Sequence, residues 1–247
     1  MRIDLLTLFP GFFDPWLETG VCSRAITQKC MQVHRWSPRS HTHDVHQTVD
    51  DRPYGGGPGM VMMPTVLADT LRAVHDHCLA EQVPIGPVVL LSPAGRRLDQ
   101  AWIERALEED APQQMTLVCG RYEGIDQRFV DQFVTEELSL GDFVLSGGEI
   151  PALAVLDALA RRLPGVLGDA ASAEQDSFMH GLLDHPHYTR PEVFEGKRVP
   201  EVLLSGHHGK IADWRLEQAQ SLTRARRPDL YDAYIAQQRR VTKQVPK

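Results

Sequence analysis

The sequence predicts an α/β protein built on a parallel sheet, on three observations. Its central apolar runs, Val88–Leu91, Met115–Cys119 and Phe143–Leu145, are too short for helices. They are separated by segments with helical periodicity, the alternation that produces parallel sheets. Each leads directly into a loop rich in Gly, Ser or Pro: SPAG from Ser92, GRYEG from Gly120, SGGE from Ser146. Parallel sheets bind ligands beyond the carboxyl ends of their strands, so these loops are expected to line one crevice. Glycines used simply for tight turns are the competing reading.

Taken in order, Arg2 to Phe9 reads as a buried strand stopped by Pro10 and Gly11, and Met31 to Trp36 as a second, with helical or irregular sequence between. Ser37 to Gly59 is polar and lacks apolar periodicity; a segment that long is usually functional or disordered. Pro64 suits the first turn of a helix running to about Gln82, whose apolar face is Val66, Leu67, Leu71, Val74 and Cys78. Asp99 can cap a second helix reaching about Asp110, with Trp102, Ile103, Ala106 and Leu107 inward. Pro151 to Leu163 is apolar on most sides, which places it in the core or in a subunit interface. Gly165 to about Gly181 is small and polar and reads as a linker. Beyond it, Asp213–Ala225 and Pro228–Gln238 are helical patterns with several Arg outward.

The 247 residues, 42% hydrophobic and 24% charged, suit one large domain or two small ones and argue against a wholly disordered chain. A net charge of −7 argues against coating nucleic acid by bulk charge. From Arg224 onward, however, seven basic side chains face only Asp229 and Asp232, which makes the tail either a polyanion contact or a solvated helical face. Cys22, Cys30, Cys78 and Cys119 show no CxxC spacing, and Asp4 and Asp14 interrupt the short apolar run at the N-terminus. No stretch approaches the roughly 20 apolar residues of a membrane span. The expectation is a soluble cytoplasmic protein with reduced thiols and no membrane partner.

Several constellations bear on chemistry. His41, His43 and His46 offer imidazoles for zinc, but without an HExxH pattern or a Cys pair they fit hydrogen bonding or RNA contact better. The run Gly55–Gly59 is neither a phosphate-binding GK[ST] loop nor a GxGxxG fingerprint, so nicotinamide and nucleotide-hydrolysis readings lose their support. What it offers is a backbone that a flat or anionic ligand can approach closely. Asp50, Asp51 and Arg52 stand beside it, to anchor the loop or to touch substrate. Asp176 lies in the small-residue stretch, an unusual place for a structural carboxylate. Arg161 and Arg162 end the apolar helix, where cations favour the C-terminus by about 0.3–1 kcal/mol.

Long strings extend these features over nearly the whole chain: TLFP from Thr7, WSPR from Trp36, TVDDRPYGGGPGM from Thr48, LSPAGRRLDQ from Leu91, VCGRYEGID from Val118 and GDFVLSGGE from Gly141. PGVLG from Pro164, DSF from Asp176, GLLDHPHYTRP from Gly181 and VLLSGHH from Val202 continue the series. Together they closely resemble the bacterial tRNA (guanine-N1)-methyltransferase family, TrmD, of the SPOUT class. The resemblance implies a parallel sheet with a deep trefoil knot, which general chain-topology rules would not predict, followed by a small all-helical C-terminal domain. It divides the chain into a knotted α/β domain at 1–166, a flexible linker at 167–181 and a helical tRNA-binding domain at 182–247.

The reaction implied is methyl transfer from S-adenosyl-L-methionine to N1 of the guanosine 3′ of the anticodon, position 37, in a homodimer whose active sites are shared between subunits. The cofactor residues implied are Leu91, Ser92 and Pro93; Gly120; Leu140, Gly141, Asp142, Phe143, Val144 and Leu145; and Gly147, Gly148 and Pro151. Phe143 stands where the family carries a tyrosine, which removes a hydroxyl and keeps the ring. Guanine N1 carries a proton and is a poor nucleophile until it leaves; the resemblance assigns Asp176 as the base and Arg161 as the partner of the charge that moves onto O6. A carboxylate is poorly matched to that proton, at about 1.4 kcal/mol per pKa unit of mismatch, and stabilisation of the oxyanion closes part of the gap. Glu123 is the implied point of a Mg²⁺ dependence, or a brace within its loop. The target base must leave its stack, Gly59 and its glycine-rich loop are candidates to admit the guanine, Arg52 is a candidate substrate or tRNA contact, and Lys210, Arg215 and the basic tail are candidate phosphate contacts.

Two other readings remain at this level: an RNA-binding module that has kept the fold and lost catalysis, and a related enzyme of the same class that methylates another RNA position or a ribose hydroxyl. The presence of both Asp176 and Arg161 speaks against the first. The identity of the modified nucleoside decides the second.

Overall fold

Alternation of side chains along short strands accounts for the sheet. In the computed structural model, which describes residues 1–168 and 174–244, the strands are β1 (Arg2–Leu6), β2 (Gln32–Trp36), β3 (Asp50–Asp51), β4 (Val61–Met62), β5 (Val88–Arg97), β6 (Gln114–Cys119) and β7 (Glu136–Ser139). Five form a parallel sheet in the order β2-β1-β6-β5-β7. Ile3, Leu5, Val89, Leu91, Met115 and Leu117 enter one core cluster, and Leu6, Val88, Leu90 and Val118 enter the other. A strand that buries both faces must be apolar at consecutive positions.

Helices cover both faces: α1 (Asp14–Leu17), α2 (Gly20–Thr27), α3 (Pro64–Ala80), α4 (Gln100–Arg105), α5 (Gln127–Phe133) and α6 (Glu149–Arg162). α2, α4 and α6 supply Ala25, Ile103 and Val155 to the first cluster, whereas α3 and α5 supply Leu71 and Phe129 to the second. Asp99 caps α4 by accepting from the Trp102 N–H at 2.8 Å. That helix stops at Arg105, short of the Asp110 expected from its pattern. The buried side of α6 comprises Ala152, Val155, Leu156, Leu159 and Ala160, and it lies within the core of its own chain.

The Phe143–Leu145 run is not a strand. It is loop, with Phe143 and Val144 55% and 87% exposed, and the fifth strand is instead β7, whose sequence EELS does not read as apolar. Glu136 is tolerated at that position because the Trp102 indole donates to it at 2.9 Å and Arg96 stands 3.7 Å away. The polar Ser37–Gly59 segment also contains more order than its lack of periodicity implies: a 3-10 turn at Pro38–His41 and the antiparallel ladder of β3 with β4.

Asp4 is fully buried in mid-sheet. It accepts two hydrogen bonds from Arg2 at 2.9 Å, one from Gln114 at 2.9 Å and one from the Trp36 indole at 2.8 Å. A carboxylate is tolerated there because its oxygens are saturated with donors.

The chain separates into two compact units, Met1–Gly168 and Asp169–Lys247. The second holds a hairpin, β8 (Val193–Phe194) with β9 (Lys197–Arg198), and helices α7 (Glu201–Leu204), α8 (His208–Arg226) and α9 (Pro228–Gln244). The expected all-helical C-terminal part is thus corrected by one short antiparallel ladder, in a stretch where Gly196 at φ +76° permits the tight turn. Residues 169–173 of the expected linker lie outside the described residues.

Candidate active site

β5 continues beyond its buried half, but its pairing breaks: Leu91 and Arg96 both partner Leu138 of β7, so Ser92 to Gly95 loop out of the ladder. This excursion, Gly120 after β6, and Leu140 to Leu145 after β7 surround a cavity of about 320 Å³ at the carboxyl ends of the strands. Gly147, Gly148 and Pro151 close it at the start of α6. All the residues expected at the cofactor line this cavity except Asp142, whose side chain is 93% exposed and stands 3.4 Å from Arg97.

The loops owe their shape to glycine at specific points. Gly141, at φ +149°, follows Ser139, whose hydroxyl accepts its N–H at 3.1 Å. A Cβ on Gly148 would stand 2.6 Å from Cys119 Cα, and the Gly148 N–H donates to Gly120 O at 3.0 Å, so only glycine lets the α6 entrance lie against the end of β6. The wall is mainly apolar, with Leu90, Leu91, Leu138 and the Phe143 ring, and backbone groups edge it. That composition and volume suit a flat heteroaromatic with a polar tail.

The same wall contains groups to which the sequence reading gave no role. Arg121 and Ser146 line it, and behind them Glu149 is fully buried. Leu138 and Ser139 were missed with β7. Tyr122 also borders the cavity; burial and, next, its hydrogen bond to Asp50 push its phenol above the ordinary value.

Glu123, Gly124 and Ile125 line the mouth. The GRYEG loop is laced to the glycine-rich segment by Glu123 N–H to Met60 O at 2.9 Å, Met62 N–H to Gly124 O at 2.9 Å and Asp126 N–H to Met62 O at 3.1 Å. Gly59, at φ +80°, abuts the Glu123 side chain so closely that any Cβ would overlap it. The structure therefore brings Gly59 and Glu123 together. Arg52 is exposed, its N–H bonded to its neighbour Asp51. Glu123 supplies a single carboxylate at this mouth, a donor set that fits Mg²⁺, which usually retains waters and takes one or two carboxylates.

Arg161 occupies the last turn of α6, partly buried; its neighbour Arg162 is committed to Glu104 through a fork of 2.8 and 2.9 Å. Asp176, in the second unit, is partly buried, with its carbonyl accepting from Met179 N–H at 3.4 Å. Lys210 and Arg215 are exposed on α8, and Arg227 in the basic tail is paired with Asp229 at 2.6 Å. His41, His43 and His46 do not converge: His43 is 90% exposed and faces Asp69 at 3.4 Å. Among the described residues, the group whose donors converge as a metal would need is Asp184, His185 and His187, which spacing had not marked. No described helix is long and apolar enough to cross a membrane.

A parallel α/β sheet with a ligand-sized, glycine-walled cavity beyond its carboxyl ends defines a small-molecule-binding enzyme domain. The profile of the family described as tRNA (Guanine-1)-methyltransferase TrmD matches residues 1–233. Proteins named tRNA (guanine-N(1)-)-methyltransferase are similar throughout: that of Bordetella pertussis is 57% identical, covering 94% of this chain and 90% of its own, and that of Cupriavidus necator 53%, covering 94% and 88%. The Pasteurella multocida relative is 50% identical over 99% of this chain and 98% of its own. The chain belongs to the tRNA (Guanine-1)-methyltransferase TrmD family, and it is a methyltransferase.

Proposed function

We propose that this enzyme transfers a methyl group from S-adenosyl-L-methionine to N1 of guanosine 37, immediately 3′ of the anticodon in tRNA. The observation that carries the reading is the cavity beyond the parallel strands, whose lining coincides with the family's cofactor loops. When bound, the cofactor supplies an electrophilic methyl group. Leu91 to Pro93 and Leu140 to Leu145 clasp it, the Phe143 ring packing where a family tyrosine would. Gly59 admits the flat guanine beside Glu123.

Asp176 takes the N1 proton, and Arg161 neutralises the charge that develops on O6. Glu123 is the residue that would hold Mg²⁺, as one carboxylate among waters. Lys210, Arg215, Arg52 and the exposed arginines of the tail contact tRNA, mostly at phosphates. The knotted sheet of 1–166 holds the cofactor, 167–181 carries the base, and 182–247 grips tRNA. In a homodimer the base serves the partner's cofactor site, and the enzyme works in the cytoplasm where its tRNA is found.

The test uses labelled S-adenosylmethionine and two unmodified tRNA transcripts that differ only in G or A at the position 3′ of the anticodon. Incorporation into the G transcript alone is expected, with 1-methylguanosine recovered on digestion. Equal labelling of both, or a 2′-O-methyl product, assigns a different target. Tight tRNA binding without incorporation makes the chain a binding module.

A further inference from the structure

The second unit contains one side-chain cluster that the methyl-transfer reading does not use. Asp184, His185 and His187 each offer one potential ligand atom, all within 4.8 Å of one another. The His187 Nε2–H donates to Asp184 Oδ2 at 2.8 Å, and His185 Nε2 stands 3.8 Å from Asp184 Oδ1. The two imidazole rings are tilted at 46° to each other with centroids 4.5 Å apart.

The His185 tautomer follows from its other nitrogen. Nδ1 lies 3.2 Å from the Pro186 carbonyl, which can only accept, so Nδ1 carries the proton and Nε2 keeps a lone pair aimed at the cluster. An imidazole whose far nitrogen donates to a backbone carbonyl has the arrangement that orients metal-ligating histidines.

The backbone that carries these donors is pinned independently of any ligand. Asp184 N–H donates to Ser177 Oγ at 2.9 Å, Leu183 N–H to Thr223 Oγ1 of α8 at 2.8 Å, and Phe178 N–H to Leu182 O at 2.7 Å. Exposure is graded, with side chains 13% exposed at His185, 25% at Asp184 and 70% at His187. One side is closed by protein and the other is open to water.

We propose that Asp184, His185 and His187 form a binding site for a borderline divalent transition-metal ion, of which Zn²⁺ and Co²⁺ are representative. Two imidazoles and one carboxylate favour such ions over Mg²⁺ or Ca²⁺, which take oxygen ligands. Ligand bonds of about 2.0–2.2 Å in a tetrahedron bring donor atoms to roughly 3.4 Å apart. Rotation of the exposed His187 side chain closes the difference. Three protein ligands leave the fourth position to water on the open side. Binding replaces the hydrogen bond from His187 Nε2 to Asp184 with a metal bond, and the ring carries its proton on Nδ1 instead. The bound ion ties down the Ser177–His187 loop.

The experiment is titration of tag-free, metal-stripped full-length protein with CoCl2, read by the visible bands of tetrahedral cobalt, and with ZnCl2 by calorimetry. One ion per chain is expected. His185→Gln/His187→Gln should weaken binding at least about tenfold, as should Asp184→Asn, which keeps the side-chain shape; changing His41, His43 and His46 to Gln should leave it intact. Circular dichroism of the metal-free variants establishes that each is folded. Absence of saturable one-ion binding at micromolar metal overturns the proposal. So does binding that survives in whichever of the two cluster variants is folded, or that disappears with the loop histidines instead.

Discussion

The Arg121 guanidinium stands 2.8 Å from the Glu149 carboxylate across the base of the cavity beyond the parallel strands, joining the loop after β6 to the first residue of α6. The contact is one of charge rather than an aligned hydrogen bond, since Arg121 Nε and Glu149 Oε2 are both buried without a hydrogen-bond partner. Thr7 Oγ1 donates to the other carboxylate oxygen at 2.8 Å, Arg121 Nη1 donates to Ser146 O at 3.1 Å, and the guanidinium lies 4.5 Å over the Phe9 ring. Residues from the ends of β1 and β6 thereby set the position of the Ser146–Glu149 wall. Glu149→Ala leaves Arg121 unpaired in a mostly buried place and should cost about 3 kcal/mol, toward the low end for a broken buried pair because Arg121 retains some solvent. Urea unfolding measures that cost, and calorimetry should find weaker S-adenosylmethionine binding. An unchanged unfolding midpoint would show that the pair is dispensable.

Gly148→Ala places a Cβ against Cys119 Cα, a backbone atom that cannot rotate away. The α6 entrance must then move outward, at about 1–3 kcal/mol for an overpacked contact. Cofactor affinity is expected to fall roughly tenfold, about 1.4 kcal/mol, with the protein still folded. Equal affinity in equilibrium dialysis would mean that the entrance of α6 does not shape the cofactor site.

Asp176→Asn keeps the side-chain shape and removes the base. Turnover should become undetectable while S-adenosylmethionine affinity stays within a few fold, because the proposed role of Asp176 is toward the guanine proton and not toward the cofactor. Loss of cofactor binding in this variant would reassign Asp176 to the cofactor rather than to guanine.

Acid should destabilise the fold through two histidines. Burial makes His34 and His75 harder to protonate than an ordinary imidazole at 6.5, with the Arg2 charge adding to the effect at His34. The unfolded chain therefore gains protons first as pH falls through that value. The stability tied to their neutral forms is complete above 6.5 and is lost below it. Melting in buffers at about pH 7.5 and 5.5 should show a lower midpoint in acid, and His34→Gln/His75→Gln should flatten the slope. A slope identical in the variant would assign it to other groups.

Much of the sheet was legible because its signal is local. Val88–Leu91 and Met115–Cys119 announce strands by their own apolar runs, and Pro64 and Asp99 mark helix starts by their own backbone chemistry. β7 was illegible because Glu136 and Glu137 have no apolar run; the indole of Trp102, 34 residues earlier in the chain, makes Glu136 acceptable in a strand. Phe143–Leu145 misled for the opposite reason. Its side chains are apolar but stand at a cavity mouth rather than in the core, and residue type does not distinguish the two.

The sequence by itself determined the α/β class, the three glycine-bearing loops that share a crevice and, through its long motifs, the methyltransferase family. Tertiary structure alone decided that Arg121 meets Glu149, that Gly59 abuts Glu123, and that Asp142 turns away from the cavity its neighbours line. It also decided that His185 and His187 converge with Asp184 while His41, His43 and His46 do not. Periodicity and capping are properties of a few consecutive residues, whereas each of these contacts depends on loop closure and on the direction in which a side chain leaves the backbone, which spacing does not encode.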